Sequence, residues 1–167
     1  MEIQTPRLRI RRAQPADLEP LHAILSDARA MRYWSTLPHP DLAATRAWLD
    51  DMLSAPLDES DDFVIERCGA VIGKAGCWKL PEIGYIIHPD HWGQGLALEA
   101  LGAIVTHIFA AHEISAITAE VDPRNEASLR VLARLGFEET GRAQGTYEIA
   151  GEISDSVYLA LRRPTDR

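Results

Sequence analysis

The chain has 167 residues, of which 46% are hydrophobic and 25% charged, the balance of an ordinary folded protein with a core. A domain of about 150 residues buries roughly 70% of the surface its extended chain exposes, so one domain over residues 1–167 is expected and two would be cramped. Seventeen Lys and Arg against twenty-five Asp and Glu leave a net charge of −8, which repels phosphate polyanions and attracts cations; general nucleic-acid binding is not expected, although a local basic pocket is compatible with it.

Near the start, Leu8 and Ile10 alternate with Arg7, Arg9 and Arg11, a strand pattern, and Leu18, Leu21 and Leu25 follow at helical spacing with Asp17 as the expected N-cap. A second helix is predicted from Asp41 to Leu53. The intervening Tyr33-Trp34-Ser-Thr-Leu-Pro-His-Pro40 reads as a loop, whose aromatics serve either a ligand or a lid over the core. The acidic stretch Pro56 to Asp62 reads as a surface loop. Three consecutive antiparallel strands are predicted next, over Phe63 to Arg67, Val71 to Trp78 and Glu82 to His88. A Gly-rich turn at 93–95 then opens a helix from Leu96 to Ala111, with Ala97, Leu101, Ile104, Val105 and Ile108 on one face. A strand from Ala116 to Val121 leads to a helix from about Asn125 to Leu135, ended by Gly136. Two strands close the chain around Ala150-Gly151. Hairpins mixed with crossover helices define an α+β fold.

The two cysteines, Cys68 and Cys77, match neither C-x-x-C nor zinc-ligand spacing and read as reduced, packed small hydrophobes. His88 and His91 form an H-x-x-H pair without a third ligand nearby, so a surface or strand-end role is expected and no metal. The first residues carry no basic region followed by an apolar stretch, and no apolar window is long enough for a membrane span; a cytoplasmic protein without a membrane partner is expected.

The informative segment is Ile86-Ile-His-Pro-Asp-His-Trp-Gly-Gln-Gly-Leu-Ala97, a strand, a tight turn and a helix start. The first N–H groups of a helix lack internal partners and carry the positive end of its dipole, so phosphate can settle there, and glycines let the backbone approach closely. A structural turn is the plainer alternative. No Lys-Ser/Thr follows the glycines, which rules out a Walker loop. Leu98 stands where a dinucleotide fingerprint starting at Gly93 wants its third glycine.

What remains resembles the GNAT superfamily of N-acetyltransferases, whose acetyl-CoA motif is Arg/Gln-x-x-Gly-x-Gly/Ala. Trp92-Gly-Gln-Gly-Leu-Ala97 fits it except at Trp92, a departure similar to the branch of ribosomal-protein N-terminal acetyltransferases, RimJ and RimL. Thr5-Pro-Arg-Leu-Arg-Ile, Glu82-Ile-Gly-Tyr, Asn125-Glu-Ala-Ser128, Leu135-Gly-Phe137 and Gly151 to Asp155 follow in the family's order over nearly the whole chain. The resemblance implies a single GNAT-like domain, with a mixed, mostly antiparallel sheet of about seven strands, flanked by four helices and splayed between the fourth and fifth predicted strands. It implies acetyl-CoA as donor, with backbone groups of Ile86, Ile87 and His88 beside the thioester and pantetheine. The pyrophosphate would lie on the turn and helix start formed by Trp92, Gly93, Gln94, Gly95, Leu96, Ala97 and Leu98. Asn125 would reach the pantetheine, cap its own helix, or do both.

The implied reaction is direct attack of an uncharged amine on the thioester, without a covalent acyl-enzyme. Glu82 matches an acidic position several family members use as base, acting through water; its alternative is a charged strand end. The tyrosine many members use as acid falls at Leu132 and is absent. Ser128, one turn earlier, matches the serine of the RimL-like branch, or caps its own helix. Trp34, Tyr147, Glu148, Asp155 and the Asp58–Asp62 loop are the expected walls for the acceptor, a peptide N-terminal α-amine or a small amine, which an acidic rim would attract. Relatives in this branch are often homodimers. The competing function is a non-catalytic acyl-CoA-binding module.

Overall fold

The computed structural model describes residues 1–165. Eight strands form one sheet: β1 Glu2–Gln4, β2 Arg9–Arg11, β3 Asp61–Arg67, β4 Ala70–Lys79, β5 Glu82–Ile87, β6 Ala116–Val121, β7 Glu138–Ile149 and β8 Glu152–Arg162, in the order β1-β2-β3-β4-β5-β6-β8-β7. Four helices accompany them: α1 Leu18–Leu25, α2 Leu42–Ser54, α3 Leu96–Ala111 and α4 Glu126–Arg134. The strand beyond the expected seven is β1, a three-residue edge strand paired with β2. No helix among the described residues is long and apolar enough to cross a membrane.

Alternation along the strands sends one set of side chains to each face. Phe63, Ile65, Ala75, Cys77, Ile83 and Ile117 pack under Leu101, Ile104 and Ile108 of α3 and Leu132 of α4. Val64 and Ile86 face the other way, against Leu21, Ile24 and Leu25 of α1 and Leu49 of α2. The sheet is therefore a partition with α3 and α4 on one side and α1 and α2 on the other.

All strand pairs are antiparallel except β5 with β6, which run parallel and share a single partner pair, Glu82 with Thr118. Thr118 N–H donates to Pro81 C=O at 3.0 Å. Beyond that point the two strands have no further pairing, so the partition has a V-shaped opening whose apex lies at Glu82.

Asp17 does not cap α1. Its buried carboxylate accepts from the Arg11 guanidinium at 2.9 Å and from Gln14 N–H at 2.7 Å, closing a 3₁₀ turn over Pro15–Asp17 instead. The acidic stretch ending at Asp62 is not all surface either. Asp61 and Asp62 belong to β3 and are 1% and 7% exposed. Asp61 bonds Arg12 at 2.6 Å, His107 at 2.9 Å and His112 at 2.7 Å, while Asp62 pairs with buried Lys74 at 2.6 Å. Burial opposes ionisation of Asp61, but the His112 and Arg12 hydrogen bonds and charge hold its carboxyl below the usual range. Cys77 is packed as expected, whereas Cys68 is exposed in the β3–β4 turn with φ 51°.

Candidate active site

On the α1/α2 side of the opening lies a cleft of about 820 Å³, within the range of small-molecule sites. Trp34 and Trp48 wall it from the helical side, Trp78, Glu82 and Gly84 from β4 and β5, Glu120 and Asp122 from β6, and Tyr147 and Asp155 from the last hairpin. Trp34, Glu82, Tyr147 and Asp155, four of the residues singled out in sequence, thus meet in one cavity. Glu148 is exposed and Asp58 is not part of the lining; Asp62 contributes, but with its charge matched by Lys74.

Glu82 sits at the apex of the opening and accepts a long hydrogen bond of 3.4 Å from Trp78 Nε1. Glu120, two residues beyond Thr118 on the same side of β6, lines the same cleft. Its carboxylate accepts from Ser156 Oγ at 2.6 Å, and that hydroxyl is itself 2.6 Å from Thr146 Oγ1, so the Glu120 side chain is fixed from behind. Burial, with the Glu120 and Glu82 carboxylates adding to it, pushes the Tyr147 phenol up to about 12. Neither Glu82 nor Glu120 nor Asp155 has an ion-pair partner among the described residues, so this end of the cleft is anionic. At its outer rim Arg124 is shared between Asp122 and Glu152, both at 2.6 Å.

On the opposite side stands Ser128, 8% exposed in the first turn of α4. Asn125 caps that helix, its Oδ1 accepting from Ser128 N–H at 3.2 Å. The Ser128 hydroxyl does not cap the helix: its partner is the phenol of Tyr85, from β5, at 2.8 Å. Leu132, 1% exposed, is core.

Along β5 the backbone groups alternate in direction. His88 N–H donates to Ile72 C=O at 2.8 Å, so the polar groups of His88 and, by alternation, Ile86 are turned to β4. Those of Ile83, Tyr85 and Ile87 face the opening, with the Ile87 C=O already holding Trp92 Nε1 at 2.8 Å. Trp92 is thereby latched to the strand although its ring is 52% exposed.

The turn into α3 is built for close approach. Gly93 and Gly95 have φ 70° and 74°, the left-handed region, and a Cβ on Gly93 would meet nothing within 4 Å. Gly95 occupies the N-cap position without a side-chain cap, which leaves the first N–H groups of a 16-residue helix, from Leu96 through Ala97 and Leu98, available to an anion. Two guanidiniums flank this turn. Arg7 donates to Gln94 C=O at 2.8 Å and Arg67 to Gln94 Oε1 at 2.8 Å. Arg7 also neutralises Glu99 at 2.6 Å. Glu99 is partly buried, which raises its pKa, yet hydrogen bonds from Thr5 and Arg7 outweigh that and hold it below the usual range.

Arg67, Tyr85 and Glu120 were not singled out from the sequence as site residues. Arg67 and Glu120 were visible only as strand residues and Tyr85 only as the end of the Glu82-Ile-Gly-Tyr motif, since their partners lie far along the chain. Among the described residues no cluster of His, Cys, Asp and Glu suits a metal; His88 Nδ1 accepts from Asp90 N–H at 3.2 Å in a local turn.

A cleft on one side of the sheet and, on the other, a helix start open to an anion flank the same opening. The model of the acetyltransferase (GNAT) domain matches residues 7–138. The chain belongs to the GNAT acetyltransferase family, whose members use acetyl-CoA. It is 32% identical to YoaA, an uncharacterized N-acetyltransferase of Bacillus subtilis (strain 168), with 96% of each chain covered. It is 25% identical to the spermidine N(1)-acetyltransferase of Escherichia coli (strain K12), over 92% of this chain and 85% of the relative. In fold it is similar to RimL, a ribosomal L7/L12 alpha-N-protein acetyltransferase solved with coenzyme A, with a TM-score of 0.86 at 20% identity over 97% of this chain and 98% of that one.

Proposed function

We propose that the chain, as one domain, acetylates a primary amine carrying positive charge, either a peptide N-terminal α-amine or a small cationic amine. The observation that carries this is the V-shaped opening, with unpaired carboxylates at Glu82 and Glu120 on its cleft side and the Ser128 hydroxyl on the other. The relatives named for spermidine and for a ribosomal protein support an amine acceptor and leave both classes open. The anionic cleft supports a cation, since an ammonium is drawn to it at a cost in desolvation that the two carboxylates offset.

Bound acetyl-CoA supplies an activated acetyl thioester. In this reading the N–H groups of Gly93 through Leu98 hold the pyrophosphate, with Arg7 and Arg67 adding local positive charge to a chain of net charge −8. The open edge of β5 hydrogen-bonds the pantetheine arm. Asn125 fixes the first turn of α4. Glu82 accepts the proton of the incoming ammonium, directly or across one water, so that the amine attacks uncharged. Ser128 donates a proton on the far side of the sheet to the departing thiolate. Trp34, Trp78 and Tyr147 close the amine in and keep water from it. Exposed unpaired Cys68 together with buried Cys77 supports a reducing, cytoplasmic setting.

The test is acetyl transfer to a panel of N-terminal peptides, polyamines and amino acids, with Glu82→Gln and Ser128→Ala compared on whichever acceptor the wild type uses. The roles stand if both lose turnover while retaining CoA affinity. They fall if both variants turn over like the wild type.

A further inference from the structure

The hydrogen bond between Tyr85 and Ser128 spans the opening in the sheet, from β5 to α4, and joins residues 43 apart in the chain. Both side chains are on the α3/α4 side, Tyr85 packing against the core there and Ser128 being 8% exposed. A serine hydroxyl has one proton to give and two lone pairs to receive on. In this geometry the phenol O–H donates to Ser128 Oγ, so the serine accepts there and its own proton is left for a third group. A serine in the first turn of a helix can otherwise turn back onto the backbone. Here the Tyr85 bond holds it instead, and Asn125 already satisfies the Ser128 N–H.

Serine by itself is a poor acid toward a thiolate whose conjugate pKa is about 8.5. A phenol, ordinarily near 10, is much closer, and a hydrogen bond from it onto Ser128 Oγ strengthens the serine as a donor. We propose that Tyr85 is a positioning residue for Ser128 and the proton source behind it, so that the phenol that α4 lacks at Leu132 is supplied from β5. Glu82, having passed its first proton to solvent, takes the second proton from the adduct nitrogen as the C–S bond breaks, the electron pair goes to sulfur, and sulfur takes the Ser128 proton. Ser128 regains a proton from Tyr85, and the phenolate recovers its own from solvent once the product thiol leaves. Burial pushes the Tyr85 phenol above its ordinary value, with the Ser128 bond partly opposing it, so before transfer it is a donor throughout the neutral range.

This inference rests on the reading of Ser128 as the group facing the leaving thiolate, and its test separates the two. The probe is CoA itself, bound to the intact protein without acceptor, with its thiol titrated by ultraviolet thiolate absorbance. The wild type is expected to lower the thiol pKa of bound CoA by about one unit, the worth of one charge-assisted hydrogen bond. Ser128→Ala should abolish that shift, Tyr85→Phe should remove about half of it, and the double variant should match Ser128→Ala. Ser128→Thr, which keeps the hydroxyl, should retain it. A change in Ser128→Ala with none in Tyr85→Phe overturns the inference and leaves Ser128 in its role. No change in either variant overturns both. A Tyr85→Phe protein that melts lower yet titrates bound CoA like the wild type shows Tyr85 to be structural only, which also overturns it.

Discussion

Substituting Gly95 by Ala isolates the anion cradle from the rest of the molecule. The residue has φ +74°, and an added Cβ would meet only Arg7 Nη2 at 3.6 Å, ordinary contact, so the cost is conformational and not steric. Holding an L-residue in the left-handed region costs roughly 1–2 kcal/mol. If the turn keeps its shape, that cost appears in folding and lowers the melting temperature by about 2–8 °C for a chain of this size. If the turn relaxes instead, the N–H groups at the start of α3 lose their common aim. The loss of even one hydrogen bond to a charged oxygen, about 1.5–3 kcal/mol, weakens binding by roughly 10- to 100-fold. Isothermal titration with CoA and, as control, with a pantetheine fragment lacking the pyrophosphate distinguishes the two. The expected result is weaker CoA binding with the fragment unchanged. A Gly95→Ala protein that melts like the wild type and also binds CoA like the wild type would refute the placement of the pyrophosphate on this turn, and so would an equal loss for CoA and fragment.

Other expectations are as direct. Glu82→Gln should lower kcat by about 10²–10⁴ with CoA affinity unchanged, measured by thiol release on an accepted amine. Asn125→Ala removes the α4 cap and should cost about 1 kcal/mol, or about 2–4 °C in Tm by thermal denaturation. Glu99→Gln probes linkage. Because the folded-state pKa of Glu99 is depressed, its stabilisation is complete above the unfolded value of about 4.3 and is lost as pH falls through the folded one. The Tm gap between wild type and Glu99→Gln should therefore be widest near neutral pH and close below about pH 4; a gap independent of pH would mean that Glu99 acts by packing and not by charge.

Local rules carried much of this structure. The α3 and β6 bounds follow from periodicity, the Gly95 turn and the short β-period of Ala116–Val121. Asn125 caps its helix, one of the two roles read for it, and Asp41, read as the first residue of its helix, is the N-cap. Strand β1 was missed because three residues carry no usable period. Asp17 was read as a helix cap and Asp61 and Asp62 as surface acids, and both readings fail because their partners come from elsewhere in the fold. A run of acids is ordinarily solvated, and only the fold brings Arg11, Arg12 and Lys74 to within hydrogen-bond distance of them. The site divides in the same way. The Gly-x-Gly turn and Glu82 are legible in the chain, because a turn and a strand end are local features. Glu120 held by Ser156, and Tyr85 held to Ser128, are pairings across the sheet, visible only once strand order and register are known.

The central claim is that the opening between β5 and β6 joins a CoA region to an anionic amine cleft for acetyl transfer. Mass spectrometry of an acceptor panel incubated with the protein and acetyl-CoA tests it most directly. One acetyl group added to a primary amine, with its rate of formation lowered about 10²–10⁴-fold for Glu82→Gln, is the predicted result. Tight CoA binding with no acetylated product from any N-terminal peptide, polyamine or amino acid would contradict it and mark the chain as an acyl-CoA-binding module.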